Sequence, residues 1–167
     1  GADGFSITGV ARLDGLAVRG AFGDFNGDGF DDILIGAGFI DREFAPNHAA
    51  AHNVGGAFLI YGSAFGMPAS KDLARLDASE GLRFEGDNQD DRAGTGARGV
   101  GDVNGDGFAD IAFCAVRADY NGFIDNGAVY VVFGRASDTA AIEGTVASET
   151  LMGTGASNVI VAGQGDD

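Results

Sequence analysis

Two short acidic segments with nearly the same sequence carry the residues best able to do chemistry. The first reads Gly-Asp-Phe-Asn-Gly-Asp-Gly-Phe-Asp-Asp-Ile over residues 23–33, and the second reads Gly-Asp-Val-Asn-Gly-Asp-Gly-Phe-Ala-Asp-Ile over residues 101–111. They lie 78 residues apart and differ at two positions. At ordinary residue frequencies, eight coincidences in ten positions have odds of about one in ten billion. The two segments are therefore copies of one repeated unit.

Each copy places side-chain oxygens at positions 1, 3, 5 and 9 of the pattern Asp-x-Asn-x-Asp-Gly-x-x-Asp. Ca²⁺ binds about six to eight oxygens in flexible geometry, and a loop curled at its glycines can direct alternate side chains to one point. The phenylalanine at position 7 would add its backbone carbonyl. The pattern predicts two Ca²⁺ sites, with these candidate ligands: Asp24, Asn26, Asp28, Phe30 and Asp32 in the first loop, and Asp102, Asn104, Asp106, Phe108 and Asp110 in the second.

Other interpretations of the loops are weaker. An EF-hand shares positions 1, 3, 5 and 6, but it requires flanking helices and a Glu at position 12, where this sequence has Ile35 or Phe113. Mg²⁺ is disfavoured because it demands strict octahedral geometry. Two metal-free turns held by Asn and Asp side chains are the remaining alternative, although a turn needs only one or two such residues. Asp31 is not a required ligand, since its counterpart is Ala109.

The composition is acidic and rich in glycine. The chain has 10 Lys and Arg against 25 Asp and Glu, a formal net charge of −15, and 30 of its 167 residues are Gly. Such a chain repels nucleic-acid phosphates and anionic membrane surfaces, and no apolar run approaches the ~18 residues of a transmembrane helix. We therefore expect neither nucleic-acid binding nor membrane insertion. The 45% hydrophobic residues, with 13 Phe, exclude an acidic disordered tail.

Short β-branched and aromatic segments bounded by Gly or Asp surround both acidic loops, which is typical of strands. In each copy one strand ends before the loop, near residue 22 or 100, and further strands follow it. The predicted second, third and fourth strands cover residues 32–37, 56–62 and 81–86 in the first copy, and 110–115 and 127–134 in the second. Residues 4–9 match 81–86 and form a further fourth strand. Residues 70–76 are the one predicted helical turn.

This order of elements resembles the FG-GAP repeat of integrin α-chain type, and the segments 72–77 and 81–86 are more narrowly similar to bacterial secreted members. The matching elements are the acidic loops, the pairs Tyr61-Gly62 and Phe133-Gly134 in the "FG" place, and a degraded "GAP" element at 36–38 and 114–116. The resemblance covers residues 4 to 136. It implies an all-β fold of four-stranded antiparallel blades of an integrin-alpha-like β-propeller, with Ca²⁺ held in the turn between the first two strands of each blade.

The C-terminal residues 153–167 resemble the start of the RTX, or hemolysin-type, calcium-binding repeat G-G-x-G-x-D-x-U-x. The match is imperfect, because Thr154, Ala156 and Ala162 replace glycines and Asn158 replaces the aspartate. A further Ca²⁺ site there would be weak. We accordingly divide the chain into a strand of a preceding or closing blade, two FG-GAP blades, and a linker with the RTX-like start: residues 1–14, 15–86, 87–142 and 143–167.

Two blades do not make a ring, because propellers close with about four to eight. We therefore predict that the chain is part of a longer one or that several copies assemble, so that further blades from either source are partners. In that arrangement residues 4–9 could complete the last blade, in the same chain or in a neighbour.

We expect an extracellular, secreted or surface module of a large bacterial protein, without catalytic activity, whose role is structural and adhesive towards a protein or glycan. A lectin using loops 38–54 or 117–125 is one alternative, and the non-catalytic portion of a secreted hydrolase or lyase is another. His48 and His52 stand four residues apart, but they lack the Glu of a zincin motif and are expected in a surface loop. Cys114, the single cysteine, forms no intrachain disulfide and is expected to be an inert buried thiol.

Overall fold

A computed structural model describes residues 4–10, 15–18, 23–41, 52–86, 88–136 and the strand at 159–161. In these ranges the chain forms ten β-strands and one 3₁₀ turn, Leu73–Arg75. The strands are β1 (Ser6–Thr8), β2 (Leu16–Val18), β3 (Ile33–Ala37), β4 (Gly56–Ile60), β5 (Ser70–Asp72), β6 (Gly81–Glu85), β7 (Thr95–Gly101), β8 (Asp110–Ala115), β9 (Ala128–Val132) and β10 (Val159–Val161). The predicted all-β fold class is confirmed. The described residues contain no helix with the length and apolar character needed to cross a membrane.

The first sheet has the spatial order β2-β3-β4-β6, with β10 added on the outer edge of β6. The first four strands pair antiparallel, with Ile33 opposite Ile60 and Gly56 opposite Glu85. β10 pairs parallel to β6. These four strands lie in the sheet in the predicted order, each beside the one that precedes it among the four.

The second sheet contains β7, β8 and β9 in antiparallel order, with Ile111 opposite Val132. β7 is irregular, since its pairing to β8 shifts register at two places. In the described part of the chain no fourth strand covers the outer edge of β9. Most of the RTX-like tail, residues 143–158 and 162–167, lies outside the described residues.

β1 pairs parallel to β5, with Ile7 opposite Lys71. Within the described part of this chain, β1 lies on β5 and not on β9, so the structure does not show residues 4–9 completing the last blade.

Residues 70–76 do not form the predicted helical turn over their whole length. They begin as β5 and continue into the 3₁₀ turn, which the Asp72 carboxylate caps by accepting a hydrogen bond from the Ala74 N–H at 3.0 Å. Pairing with β1 overrides the weak helical preference of this short segment, because an isolated helix of this length is unstable in water.

The main hydrophobic core lies between the two sheets. Leu59 and Phe84 of the first sheet belong to the same buried cluster as Ile111 and Phe113 of the second, and the Phe84 and Phe113 rings are 5.5 Å apart between centroids. Burial of each such side chain stabilises the fold by about 1.5–3 kcal/mol. The two repeats therefore pack against each other as neighbouring layers, which places their acidic loops side by side.

Close approach of the two sheets depends on Gly36 in β3. A Cβ at this position would lie 2.1 Å from the carbonyl oxygen of Gly94, which leads into β7. The equivalent residue of the second sheet is Cys114, which is free and half-buried rather than fully buried. Because a side chain stands at this position, another sheet cannot approach the outer face of the second sheet as closely as the second sheet approaches Gly36.

We expect Gly36→Ala to lower the free energy of unfolding by about 2–3 kcal/mol, because the new methyl group cannot fit without moving backbone. Cys114→Ala, at the equivalent position of the second sheet, should change it by about 0.5 kcal/mol or less. Urea unfolding followed by circular dichroism measures both changes. Equal losses in the two variants would show that Gly36 is not needed for the contact between the sheets.

Candidate metal-binding loops

Both acidic loops lie at the same end of their sheets. Residues 24–32 lead directly into β3, and residues 102–109 connect β7 to β8. Because β3 pairs with β4 and β8 with β9 in equivalent registers, each loop also lies beside the end of the third strand of its sheet. The FG glycine follows that third strand.

Glycine allows the backbone of both loops to adopt a curled conformation. The φ angles of Gly27 and Gly29 are 74° and 89°, and those of Gly105 and Gly107 are 78° and 94°. This left-handed region costs a residue with a side chain about 1–2 kcal/mol. The two loops therefore share one backbone conformation, which favours glycine at positions 4 and 6 of both copies.

The aspartate at position 1 is bound by three backbone N–H groups of its own loop. Oδ1 of Asp24 accepts hydrogen bonds from Gly27 at 2.7 Å and Asp28 at 3.1 Å, and Oδ2 accepts one from Gly29 at 2.9 Å. Asp102 accepts the equivalent three bonds at the same distances. Each first aspartate therefore faces the concave side of its loop.

Positions 3 and 5 also lie together in both copies. The Asn26 side-chain amide donates to Oδ2 of Asp28 at 3.0 Å, and Asn104 donates to Oδ2 of Asp106 at 2.7 Å. The other carboxylate oxygen at position 5 accepts the N–H of the phenylalanine at position 7, at 2.9 Å in each loop. Side chains from positions 1, 3 and 5 are thus gathered by hydrogen bonds within the loop.

The aspartate at position 9 is turned towards the backbone. Asp32 is buried and accepts the N–H groups of Phe25 and Gly62, each at 2.8 Å. Asp110 accepts the equivalent bonds from Val103 and Gly134, also at 2.8 Å. Each of these carboxylates therefore ties its acidic loop to the glycine of the FG element.

The FG glycine itself is required by close packing against position 8 of the loop. A Cβ on Gly62 would lie 2.5 Å from the carbonyl oxygen of Asp31, and one on Gly134 would lie 2.4 Å from that of Ala109. These contacts are too short for any side chain. The motif "FG" thus reflects the contact between the end of the third strand and the acidic loop.

The first loop concentrates negative charge near Asp32. The pKa of the Asp32 carboxyl is raised to about 6, mainly by burial and in smaller part by the charges of Asp28 and Asp24, while the N–H groups of Gly62 and Phe25 oppose the change. The ion pairs of Lys71, Arg75, Arg83 and Arg117 lie outside both loops. A cation bound in the loop would reduce the repulsion between its carboxylates.

The residues fit a hard cation such as Ca²⁺ by chemistry, since every side chain at positions 1, 3, 5 and 9 presents oxygen. Within the described ranges, however, no group of three His, Cys, Asp or Glu side chains stands ready to hold a metal. The reason is that position 3 is an asparagine and position 9 faces the backbone. The Asx-type hydrogen bonds of the metal-free alternative are present, and they leave oxygen lone pairs of the same carboxylates unused.

The two histidines do not form a described pair. His52 hydrogen-bonds through Nδ1 to the Asp41 carboxylate at 3.2 Å and is exposed, whereas His48 lies outside the described residues. His52 lies at the end of the sheets that is opposite to the acidic loops. At this end Asp90 also accepts a hydrogen bond from the Asn53 side-chain amide at 2.9 Å.

Sequence reasoning did not identify a further feature of this opposite end. The guanidinium of Arg92 lies 5.2 Å from the ring centroid of Phe39, and Phe39 remains partly exposed. Arg92 adopts a left-handed φ of 56°, which is unusual for a long side chain. No signal in the local sequence pattern indicates that conformation, so the contact could not be found from the sequence.

Comparison with known proteins places one repeat in a family. Residues 17–49 match the model of the family described as FG-GAP repeat. Similar curated proteins include integrin alpha-PS2 of Drosophila melanogaster, 33% identical over 131 residues, and phosphatidylinositol-glycan-specific phospholipase D of Homo sapiens, 38% identical over 124 residues. Integrin alpha-6 of Gallus gallus is 31% identical over 129 residues. The chain therefore carries an FG-GAP repeat and resembles integrin α-chains.

These matches cover 78%, 74% and 73% of this chain but only 8%, 13% and 10% of the respective relatives. The chain thus spans a small part of their length. Because the relatives are named as integrins in two cases and as a phospholipase in the third, the shared segment alone identifies no activity.

Proposed function

We propose that this chain is a Ca²⁺-binding segment of an extracellular β-propeller, with a structural and adhesive role in a large secreted or surface protein of bacteria. The FG-GAP match and the antiparallel sheets support the propeller, and FG-GAP repeats are typical of extracellular or surface proteins. The segment itself is non-catalytic in this proposal. A weak further Ca²⁺ site in the RTX-like tail remains a prediction.

The observation that carries the Ca²⁺ proposal is the duplication of one hydrogen-bond network in two acidic loops. Asp24 and Asp102 make the same three bonds, and Asp28 and Asp106 are held in the same way. A turn alone would not need three carboxylates in both copies. Bound Ca²⁺ would supply positive charge, and positions 1, 3, 5, 7 and 9 of each loop would hold it.

Ca²⁺ titration of the chelator-treated chain tests this proposal. Isothermal titration calorimetry should detect two bound ions, and Asp28→Ala and Asp106→Ala should each reduce the number to one. Asp31→Ala is the matched control, because it removes the same charge from the first loop at an exposed position that the second copy fills with alanine. Loss of a site in Asp31→Ala, or no saturable binding by the unmodified chain, would contradict the proposal.

Further blades are the proposed partners, either from the same longer chain or from other copies. β9 has no outer neighbour among the described residues, and Val129 on this strand is 64% exposed. An unpaired edge of this kind accepts another strand readily. On the outer face of the second sheet, the Cys114 side chain occupies the position at which Gly36 allows close contact on the first sheet. A further blade on that face would therefore pack at a different distance.

Ligand recognition by the loops opposite the acidic ones is a second candidate function. Phe123 and Ile124, between β8 and β9, are 67% and 82% exposed. This loop is ordered by its own hydrogen bonds, since Tyr120 and Phe123 pair through their backbones and the Asn126 amide binds the Tyr120 carbonyl at 3.1 Å. Exposed apolar side chains on an ordered loop are typical of protein or glycan contacts.

A glycan array and an adhesion assay would distinguish the ligands of this second function. We expect Phe123→Ser to abolish binding to whichever ligand is detected, while the melting temperature changes by less than about 2 °C, because the ring is exposed. Binding that survives the substitution would exclude this loop. The alternative that the segment is the non-catalytic portion of a secreted hydrolase or lyase draws on the match to a phospholipase.

A further inference from the structure

The two acidic loops contact each other directly, although 78 residues separate them in sequence. The ring of Phe108, position 7 of the second loop, rests on Gly27, position 4 of the first. A Cβ on Gly27 would lie 2.5 Å from Cε1 of that ring. The backbone N–H of Ala109 also donates to the Asp24 carbonyl at 2.9 Å. The two candidate sites therefore share a contact surface.

Adjacent backbone groups extend this contact. The N–H of Arg135 donates to the Phe25 carbonyl at 2.7 Å, and Gly134 lies against the same carbonyl while the Asp110 carboxylate holds its N–H at 2.8 Å. Residues 24–27 of the first loop thus rest on two segments of the second repeat. Displacement of either loop would remove the support of the other.

The contact has a direction along the chain. Gly105, the counterpart of Gly27, has open space where a Cβ would stand. Phe30, the counterpart of Phe108, is 40% exposed. Among the described residues, the Phe108 ring therefore packs on Gly27, whereas no ring packs on Gly105 and Phe30 is partly exposed. This is the pattern expected if each loop packs on the loop that precedes it in the sequence.

We propose that the two loops bind Ca²⁺ with positive cooperativity, transmitted by the seating of Phe108 on Gly27. This inference rests on the proposed Ca²⁺ function and concerns the regulation of the same sites. An ion at the first loop would order the backbone of Asp24 and Gly27, on which Phe108 and Ala109 lie. Ordering one element lowers the entropic cost of ordering another that packs on it, so the second ion binds more tightly.

Calorimetric Ca²⁺ titration of the full chain tests the coupling. If one ion raises the affinity for the other about tenfold, within the usual range for coupled sites, two ions bind with a Hill coefficient of about 1.5. Position 7 would bind the ion only through its backbone carbonyl, which Leu and Ala also have, so Phe108→Leu and Phe108→Ala should retain two ions and lower the coefficient to about 1. Phe65→Ala, which removes a ring that is 99% exposed, is the matched control and should leave the coefficient unchanged.

Single-site variants provide an independent measurement. Asp28→Ala should bind its remaining ion about tenfold more weakly than the unmodified chain binds its second ion, and Asp106→Ala should show the same factor, because coupling between sites is reciprocal. The conservative Phe108→Leu variant and melting curves in EDTA show whether the substituted chains remain folded.

The outcomes separate the coupling from Ca²⁺ binding itself. Two ions bound with a Hill coefficient of 1 by the unmodified chain would overturn the coupling and leave Ca²⁺ binding intact. Retained cooperativity in both Phe108 variants would also overturn it, since the proposed contact would then be dispensable. The absence of saturable Ca²⁺ binding would instead overturn the proposed function.

Discussion

Removal of Ca²⁺ with EDTA is expected to lower the melting temperature of this chain by about 10–20 °C. An ion present at about 100 times its dissociation constant stabilises the folded state by about 2.7 kcal/mol per site, so two sites contribute about 5 kcal/mol. For a chain of this size, about 1 kcal/mol corresponds to a shift of roughly 2–4 °C. Without the ion the carboxylates of Asp24 and Asp28 repel that of Asp32, and this repulsion adds to the effect of burial, which is the main cause of the raised pKa of Asp32.

Differential scanning calorimetry with and without EDTA measures this effect, and re-addition of Ca²⁺ should restore the original curve. Mg²⁺ at the same concentration should restore much less, because it requires a stricter geometry. The double variant Asp28→Ala with Asp106→Ala should not respond to EDTA. If the unmodified chain melts at one temperature under all of these conditions, neither loop stabilises the fold through Ca²⁺.

Substitution of Asp110 by alanine should destabilise the chain by about 3–5 kcal/mol, even in the absence of Ca²⁺. Asp110 is completely buried, and its two oxygens accept the N–H groups of Val103 and Gly134 at 2.8 Å. Removal of the carboxylate leaves two donors without acceptors, and each buried unsatisfied group costs about 1–3 kcal/mol in addition to the lost charged hydrogen bonds.

Urea unfolding in EDTA and in Ca²⁺ distinguishes stabilisation by these two hydrogen bonds from a role of Asp110 as a metal ligand alone. Asp110→Ala should lower stability in both solutions, whereas Asp106→Ala should lower it mainly in Ca²⁺, because the Asp106 side chain is exposed and its bonds lie within the loop. If Asp110→Ala matched the unmodified chain in EDTA, the two hydrogen bonds to the backbone would contribute nothing to stability.

Much of the fold follows from local sequence signals. The strands β3, β4, β6, β8 and β9 lie within one or two residues of their predicted positions, because short apolar segments bounded by Gly or Asp have few other stable conformations in a sheet. The repeat comparison also identified the acidic loops and the residues gathered at their positions 1, 3 and 5. The Ca²⁺ assignment of these residues stays a prediction.

Features that depend on contacts between distant segments could not be predicted in this way. The segment predicted as a helical turn became β5 because β1, more than 60 residues earlier, pairs with it. Asp91 is a similar case: it lies in the polar segment 88–92, but it is buried and its backbone carbonyl accepts the N–H of Arg117 at 3.2 Å. Local composition does not contain the identity of such partners.

The amino-acid sequence by itself determined the repeat, the order of the strands and the composition of the acidic loops, since glycine spacing and apolar patterning act over a few residues. Only the tertiary structure decided that Asp32 and Asp110 clamp the FG glycines and that Phe108 rests on Gly27. It also decided that the second sheet packs closely on the first at Gly36. These features arise where segments distant in sequence, within one repeat or between the two, approach within van der Waals distance, and that distance is set by the packing of the whole sheets.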